Sequence, residues 1–388
     1  MPLQPAGPAV GDRSVLGPAD VGDETLAGLV AQALGVDEVE LLDCRAEVAA
    51  YDLEALTTAG RYWVRGSARH AGGVSSYAFF VKVVQSWTRS AAFQHVPEPV
   101  REIAAASLPW RNEPEVYRSD LRDRLPAGLS MPRAHAVLDL DELSAALWLD
   151  AVDHDPRPWD GATFRRAAHL LGRLAASPDV RPLRGLGSRD VVRGYAASRL
   201  EHQVLPVLRA DDLWHHPLVE PAFDADLRNR LLRAADALPG VLAELDGAPL
   251  GTAHGDACPR NLLRPPGETG RFVLIDFGLW CEAPLGFDLT QLLLGEVQTG
   301  ERPAAELAEL DQVCLQEYHR GLAEEGHEVD IEVLRRCHAL LMLMWFGLTA
   351  VPLEVLFGLP APGGAAVVQE RARAAATVLD LVDSTVPL

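Results

Sequence analysis

Three polar residues in the second half of the chain have the types and spacing for metal-assisted chemistry. Asp256 and Asn261 lie five residues apart in "HGDACPRN" (254–261), and Asp276 follows fifteen residues later in "VLIDFGLW". The chain between them reads as loop, strand, turn and strand, the turn being the Pro- and Gly-rich "RPPGETG". If the two strands pair as a hairpin, Asp276 returns close to Asn261. A carboxylate and an amide oxygen at one strand end are hard oxygen donors. They suit Mg²⁺, an ion that takes few protein ligands and completes its shell with phosphates and water. Asp256, on the loop, is then available to take a proton from a hydroxyl.

The elements that must position these residues can be read on both sides of them. A helix is expected over 23–35, where "DETLAGLVAQALG" has helical spacing and ends at glycine. Three strands follow in "EVELLDCRAEVAAY", "RYWVRGSAR" and "VSSYAFFVKVVQSW", with "HAGG" turning between the last two. Connections this short fit an antiparallel sheet. Lys82 stands inside the third strand, in "FFVKVV". A lone lysine in an apolar strand is either an edge residue pointing to water or a cation aimed into a cleft. "LPWRNEPEVYRSDLRDRLPAG" predicts a helix from about Trp110 to the proline and glycine at 126–128, with Glu113 and Tyr117 four apart on one face. Two strands around an acidic turn are expected in "AHAVLDLDELSAALWLDAV". Helical patterns follow over 163–177, 190–208 and 224–247, and again after the motif region. The expected organisation is a flexible tail over 1–22, a β-rich domain over 23–150 and an α-rich domain over 151–388.

Taken in order, "FFVKVV", "WRNEPEVY", "HGDACPRN", "IDFG" and "GFDL" resemble the motifs of the aminoglycoside phosphotransferase and choline-kinase group. They span Lys82 to Asp288. The resemblance implies an α+β, protein-kinase-like bilobal fold with an antiparallel-sheet N-lobe and a mainly helical C-lobe. It implies ATP or GTP and Mg²⁺ as cofactors. Asp256 would orient the acceptor hydroxyl and take its proton, while Asn261 and Asp276 would hold Mg²⁺ against the triphosphate. Lys82 would bind the α/β phosphates and pair with Glu113, which the family's Glu-x-x-x-Tyr spacing selects over Glu115. "HGDACPRN" would be the catalytic loop and "IDFG" the metal loop; Asp288 would brace the catalytic loop, and His254 would pack it rather than exchange protons. Backbone from Leu149 to Ala151 would form the adenine-binding hinge, with a plain strand end as the alternative. A phosphate-covering loop is expected in "AAYDLEALTTAGRYW", where no Gly-x-Gly-x-x-Gly occurs and only Ala59 and Gly60 offer N–H groups near a turn.

"DFG" is shared with protein kinases, so a peptide substrate must be weighed. The loop reads His-Gly-Asp rather than His-Arg-Asp. Only nine residues, Leu279 to Phe287, separate Gly278 from Asp288, which leaves no room for a peptide-binding activation segment. A small hydroxylated acceptor is the expectation, an aminoglycoside-like or other antibiotic among them, in resistance or in biosynthesis. Residues 281–332 carry thirteen acidic against two basic residues, Arg302 and Arg320, which permits a cationic acceptor. Glu282 and Glu296 follow the metal loop most closely and are the acceptor candidates. Trp280 could stack on a ligand or belong to the core. The competing readings are a nucleotide-binding pseudokinase acting as a scaffold, and a nucleotidyl transferase on the same fold.

Composition bounds these readings. The net charge of -20 argues against a nucleic-acid partner, which needs basic patches. Five scattered cysteines without a CxxC pair point to reduced thiols in a cytoplasmic protein, with no disulfide framework and no zinc site. The start of the chain lacks a basic segment followed by an apolar run, so no signal peptide is expected. The most apolar stretch, "ALLMLMWFGLTAVPLEVLFGLP", is interrupted by Pro352 and Glu354 and reads as a buried helix rather than a membrane span.

Overall fold

The longest strands form where β-branched and aromatic residues run almost unbroken. Thr58–His70 (β2) and Gly73–Gln85 (β3), thirteen residues each, pair antiparallel and turn at Ala71 and Gly72. Glu40–Val48 (β1) adds to one side of this hairpin. Ala134–Asp141 (β5) and Ser144–Asp150 (β6) form a second hairpin, whose turn is closed by the Asp141 carboxylate accepting the Leu143 N–H at 2.8 Å. The sheet order is β1-β2-β3-β6-β5, antiparallel throughout. Lys82 pairs across to Arg61 on one side and Leu147 on the other, so it is not an edge residue.

The structure, a computed structural model, describes residues 10–50, 56–96, 98, 101–187, 190–268, 270–353 and 364–386. The chain divides into two compact units. One runs to Arg122 and includes Met131–His154; the other comprises Asp123–Ser130 and the chain from Asp155 onward.

In the first unit, one sheet face packs against Asp23–Leu34 (α1) and a 3₁₀ turn at Ser14–Ala19. Leu16, Leu26, Val30, Val64, Phe79, Val81 and Trp148 share one core. The expectation of a flexible tail to residue 22 is therefore corrected over residues 10–22; residues 1–9 lie outside the described residues. The reason is Arg13, a buried guanidinium. Its Nε bonds Asp20 at 2.8 Å, and its two terminal nitrogens bond Asp23 at 2.8 Å and the carbonyls of Val10 and Val21 at 3.1 Å. A charge held by two carboxylates and two carbonyls fixes the segment that places Leu16 and Ala19 in the core. The Trp148 indole N–H donates to Ala19 O at 3.2 Å.

Residues 51–55 of the expected phosphate-covering loop lie outside the described residues. Ala59 is the extra residue of a β-bulge between Thr58 and Gly60, within β2. Arg101–Ser107 (α2) and Asn112–Arg118 (α3) follow the sheet hairpin. The single helix expected over 110–128 is broken. Ser119 takes an extended conformation, its hydroxyl donates to Val116 O at 2.7 Å and accepts the Leu121 N–H at 3.2 Å, and a new turn starts at Leu121–Arg124 (α4). Short-range serine bonds of this kind compete with the helical ladder.

The second unit is mainly helical. Gly161–Ala176 (α5) is capped by Asp160, Ala225–Asp246 (α9) by Asp224 and Ile331–Met342 (α12) by Asp330, each carboxylate taking an early N–H at 2.8 Å. The helix expected over 190–208 is Val191–Tyr195 (α6), a wider π-helical segment Ala196–Val204, and Leu205–Leu208 (α7). The widening precedes Pro206, which has no N–H to complete an α-helical turn. Asp211–Trp214 (α8), Phe287–Thr299 (α10), Leu307–Glu324 (α11) and a C-terminal helix Gly364–Thr385 complete the set. The apolar stretch continues α12 into a π-helical turn at Leu343–Gly347 whose Leu343 and Met344 are fully buried; its part beyond Leu353 lies outside the described residues. Among the described residues no helix is long and apolar enough to cross a membrane. Two small sheets carry the motif region. Leu250–Ala253 (β7) pairs with Cys281–Pro284 (β10), and Leu129–Ser130 (β4), Leu262–Leu263 (β8) and Phe272–Leu274 (β9) form a three-stranded sheet in the order β4-β9-β8.

Arg13→Met keeps the aliphatic stem and removes the charge-assisted bonds. It should cost about 2 kcal/mol of stability, read from the urea midpoint; a change below about 0.5 kcal/mol would show that the segment is held without them.

Candidate active site

The loop after β7 is built around two backbone requirements. Gly255 sits at φ 89, and a Cβ there would come within 1.8 Å of Leu279 O, so only glycine fits between the two loops. The next residues lead into a short 3₁₀ turn, Pro259–Asn261. Asn261 donates both amide hydrogens back into the loop, to Asp256 O and to Asp256 Oδ2, each at 2.9 Å. That donation assigns the amide's orientation and leaves its Oδ1 as the acceptor end.

β8 and β9 pair antiparallel, with Leu262 opposite Leu274, and the Ile275 N–H reaches Asn261 O at 3.0 Å. The hairpin thus places Asp276 one residue beyond the partner of Asn261. Asp276 holds a left-handed backbone, φ 64 and ψ 66, rare for a residue with a side chain. Its neighbour Phe277 is buried between the rings of His254 and Trp280. Burial, then the negative charges of Asp256 and Asp276, push the Cys258 thiol well above its ordinary range. One thiol thus feels both carboxylates, and it stays protonated. The donor set is oxygen alone, which fits Mg²⁺ and not a thiolate-preferring ion.

His254 is 0% exposed and fully used by backbone. Its Nδ1 accepts the Asp256 N–H at 3.3 Å and its Nε2 meets Ile275 O at 3.0 Å, which ties the catalytic loop to the metal loop. Asp288, in the first turn of α10, accepts the N–H of His254 at 2.8 Å and of Gly255 at 2.9 Å. Burial pushes its carboxyl up to about 6, against the pull of those two N–H bonds.

In the other unit, Lys82 and Glu113 meet at 2.6 Å, Nζ to Oε2, with the two residues 5% and 2% exposed. Glu115 instead turns to Arg118 at 2.9 Å on the surface. Leu149 lies in β6 between Phe80 and Ala134, and Ala151 is the first residue past the strand.

The acceptor candidates are placed differently from one another. Trp280 belongs to the core: it is 0% exposed and its indole N–H donates to Leu183 O at 3.1 Å. Glu282 pairs with Arg184 at 2.8 Å, and Glu296 with Arg302 at 2.8 Å, Arg302 also bonding Glu306 and Trp159 O. Glu301 pairs with Arg260 of the catalytic loop, an arginine to which the sequence assigns no role. The acidic run is thus met both by its own Arg302 and by Arg184 and Arg260 from other segments. Sequence reasoning also misses Tyr318, whose buried hydroxyl oxygen accepts the Gly286 N–H at 3.2 Å beside Asp288. Nothing in the local pattern of α11 marks it.

A phosphotransferase enzyme family model matches residues 68–324, two thirds of the chain, from β2 through the metal loop to α11. The chain belongs to the phosphotransferase enzyme family. Its five-stranded antiparallel unit and helical unit give it the family's protein-kinase-like fold, and it is a small-molecule kinase of that family. Solved structures similar to it include an amicoumacin kinase in complex with AMP-PNP, Ca²⁺ and its ligand (13% identity, 95% of this chain and 96% of that one, TM-score 0.48). An aminoglycoside phosphotransferase from Alicyclobacillus acidocaldarius is similar at 15% identity, over 87% and 93% of the two chains, with a TM-score of 0.47. A Plasmodium vivax ethanolamine kinase is similar at 12% identity, over 88% and 83%, with a TM-score of 0.43. No curated protein matches the chain.

The buried Asp288 of this phosphotransferase makes a pH prediction. Its carboxyl is raised from about 3.9 in the unfolded chain to about 6 in the fold. Between those values the folded state binds more protons, so Asp288 opposes folding above pH 6 and the opposition is relieved as pH falls toward 4. Urea unfolding of wild type and Asp288→Asn across this window should show the difference moving in favour of wild type as pH falls. A difference independent of pH would contradict the burial assignment.

Proposed function

We propose that this phosphotransferase moves the γ-phosphoryl group of ATP, or of GTP, to a hydroxyl of a small molecule in a Mg²⁺-dependent reaction. The observation that carries the reading is the orientation of Asn261. Its two amide hydrogens hold the Asp256 loop, and its Oδ1 is left as a hard donor beside the hairpin end that bears Asp276. Asn261 Oδ1 and the Asp276 carboxylate would hold Mg²⁺. Once bound, that ion would supply charge neutralisation on the phosphate oxygens.

The chain's own residues divide the remaining work. The bond from Asn261 to Oδ2 of Asp256 fixes the carboxylate, which takes the proton of the acceptor hydroxyl as the new O–P bond forms and the bond from the γ-phosphorus to the bridging oxygen breaks, releasing the nucleoside diphosphate. Lys82, held by Glu113 at 2.6 Å, serves the α/β phosphates. Backbone from Leu149 to Ala151 is assigned to the base. His254 and Asp288 keep the two loops in register.

The acceptor is a small hydroxylated compound, an aminoglycoside-like or other antibiotic in either a resistance or a biosynthetic setting. The stretch between Gly278 and Asp288 supports a small acceptor, since most of it is taken by a 3₁₀ turn at Phe277–Leu279 and by β10, which pairs with β7. Glu282 and Glu296 already carry an arginine each, so a cationic acceptor would have to draw on other carboxylates or displace those arginines.

The test is product mass across a panel of aminoglycosides, other hydroxylated antibiotics and amino alcohols, with Mg²⁺ and either nucleotide. A product heavier by one phosphoryl group is expected, and a gain of a whole nucleotide would point to nucleotidyl transfer. Asp256→Ala should lower turnover by roughly 1,000-fold, within the range for loss of a positioned base. Asp276→Ala should abolish the Mg²⁺-supported turnover. Unchanged turnover in both variants would sink the mechanism.

A further inference from the structure

Helix α10 begins at a point gripped from three directions. Gly286, its N-cap, takes φ 89, and a Cβ there would press to 3.0 Å from the Cβ of His338 on α12. Its N–H is held by the Tyr318 hydroxyl of α11. Its carbonyl oxygen meets His338 Nδ1 at 3.2 Å, and His338 Nε2 meets Asp311 Oδ1 of α11 at 2.8 Å. His338, Asp311, Tyr318 and Gly286 are all buried. Two residues on from Gly286, Asp288 holds the N–H groups of His254 and Gly255.

A carbonyl oxygen has no hydrogen to give, so Nδ1 of His338 must carry one. The contact between Nε2 and Asp311 Oδ1 then holds a second proton between ring and carboxylate. A buried polar group without its partner is costly, and the Nδ1–H of His338 is satisfied by Gly286 O while Nε2 is satisfied by Asp311. We propose that the His338–Asp311 pair is a positioning device for catalysis. It fixes Gly286, hence the first turn of α10, hence the carboxylate of Asp288 that sets the loop bearing Asp256. Neither residue touches the reacting atoms. The proposal rests on the phosphotransfer reading only for the role of Asp256.

Substitutions at the pair should differ in effect. His338→Phe keeps a ring of similar volume and removes both bonds. Asp311→Leu leaves Nε2 facing an apolar chain. Asp311→Asn retains a partner, because its amide can donate to Nε2 of a ring that still donates from Nδ1 to Gly286 O.

Amide hydrogen exchange at His254 and Gly255 reads the loop directly, in the full chain and without an acceptor. Exchange there should rise by about 10-fold or more in His338→Phe and Asp311→Leu, as expected when an opening is no longer opposed. Asp311→Asn should stay near wild type. Acceptor-free hydrolysis of MgATP should fall about 10- to 100-fold in the first two variants, with the dissociation constant of ADP measured without Mg²⁺ unchanged, since Lys82 and the backbone at Leu149 to Ala151 belong to the other unit.

Unchanged exchange at His254 and Gly255 would overturn the proposal. So would an equal rise throughout the helical unit, or Asp311→Asn behaving like Asp311→Leu, because either marks a merely structural role. If His338→Phe does not fold, the Asp311 pair of variants carries the same readouts. If the wild type transfers phosphate neither to water nor to any acceptor of the panel, the phosphotransfer reading fails, while the exchange result still decides this inference.

Discussion

The carboxylate of Asp288 is almost closed to water, and each of its oxygens accepts one backbone N–H from the loop that follows β7. An acid in such a place resists ionising, and burial raises its carboxyl to about 6 in spite of the two bonds. Once ionised it is a strong acceptor with no competing solvent, so the two N–H groups it binds have little freedom. The positions of His254 and Gly255 follow. From His254 follows the tie to Ile275, and from that the alignment of the catalytic loop with the metal loop. Gly255 must lack a side chain because the metal loop passes so close. The candidate site is therefore a consequence of how one buried anion is held.

That anion is in turn placed by helix packing. Asp288 stands in the first turn of α10, and the N-cap of α10 is gripped by Tyr318 and His338 from two other helices. A short apolar strand and hairpin could hold Asn261 and Asp276 in many frames. The helical unit supplies the frame in which Asn261 donates both amide hydrogens to Asp256. In the sheet unit the same logic appears once more, with a cation. Lys82 is central in the sheet and out of water, and Glu113 from α3 meets it at 2.6 Å. Buried ion pairs of this type add little to stability, and their value lies in holding a charge in one orientation.

Much of this was legible in the chain itself. The hairpin that returns Asp276 to Asn261 could be drawn from two apolar runs and a Pro- and Gly-rich turn, because strand alternation and turn chemistry are local properties. The sheet strands and the long amphipathic helices were legible for the same reason. The break at Ser119 was not, since helical spacing runs on through it and only the serine's own bonds end the ladder. Residues 10–22 read as a tail because their order comes from Arg13 meeting Asp20 and Asp23, pairings that composition rich in Pro and Gly conceals. The acidic segment 281–332 read as a surplus of charge. Its partners Arg184, Arg260 and Arg173 come from distant segments, so the neutralisation is visible only in three dimensions. Tyr318 and His338 carry no local signal at all.

The central claim is that the hairpin end builds a Mg²⁺ site from Asn261 and Asp276 beside the carboxylate of Asp256. A crystal structure with Mg²⁺ and a non-hydrolysable ATP analogue tests it most directly. Asn261 Oδ1 and an Asp276 oxygen should lie about 2.0–2.1 Å from the ion, with Asp256 still bonded to the Asn261 amide and outside the metal shell. A metal held elsewhere, or an Asn261 amide turned so that its nitrogen faces the ion's position, would contradict the account.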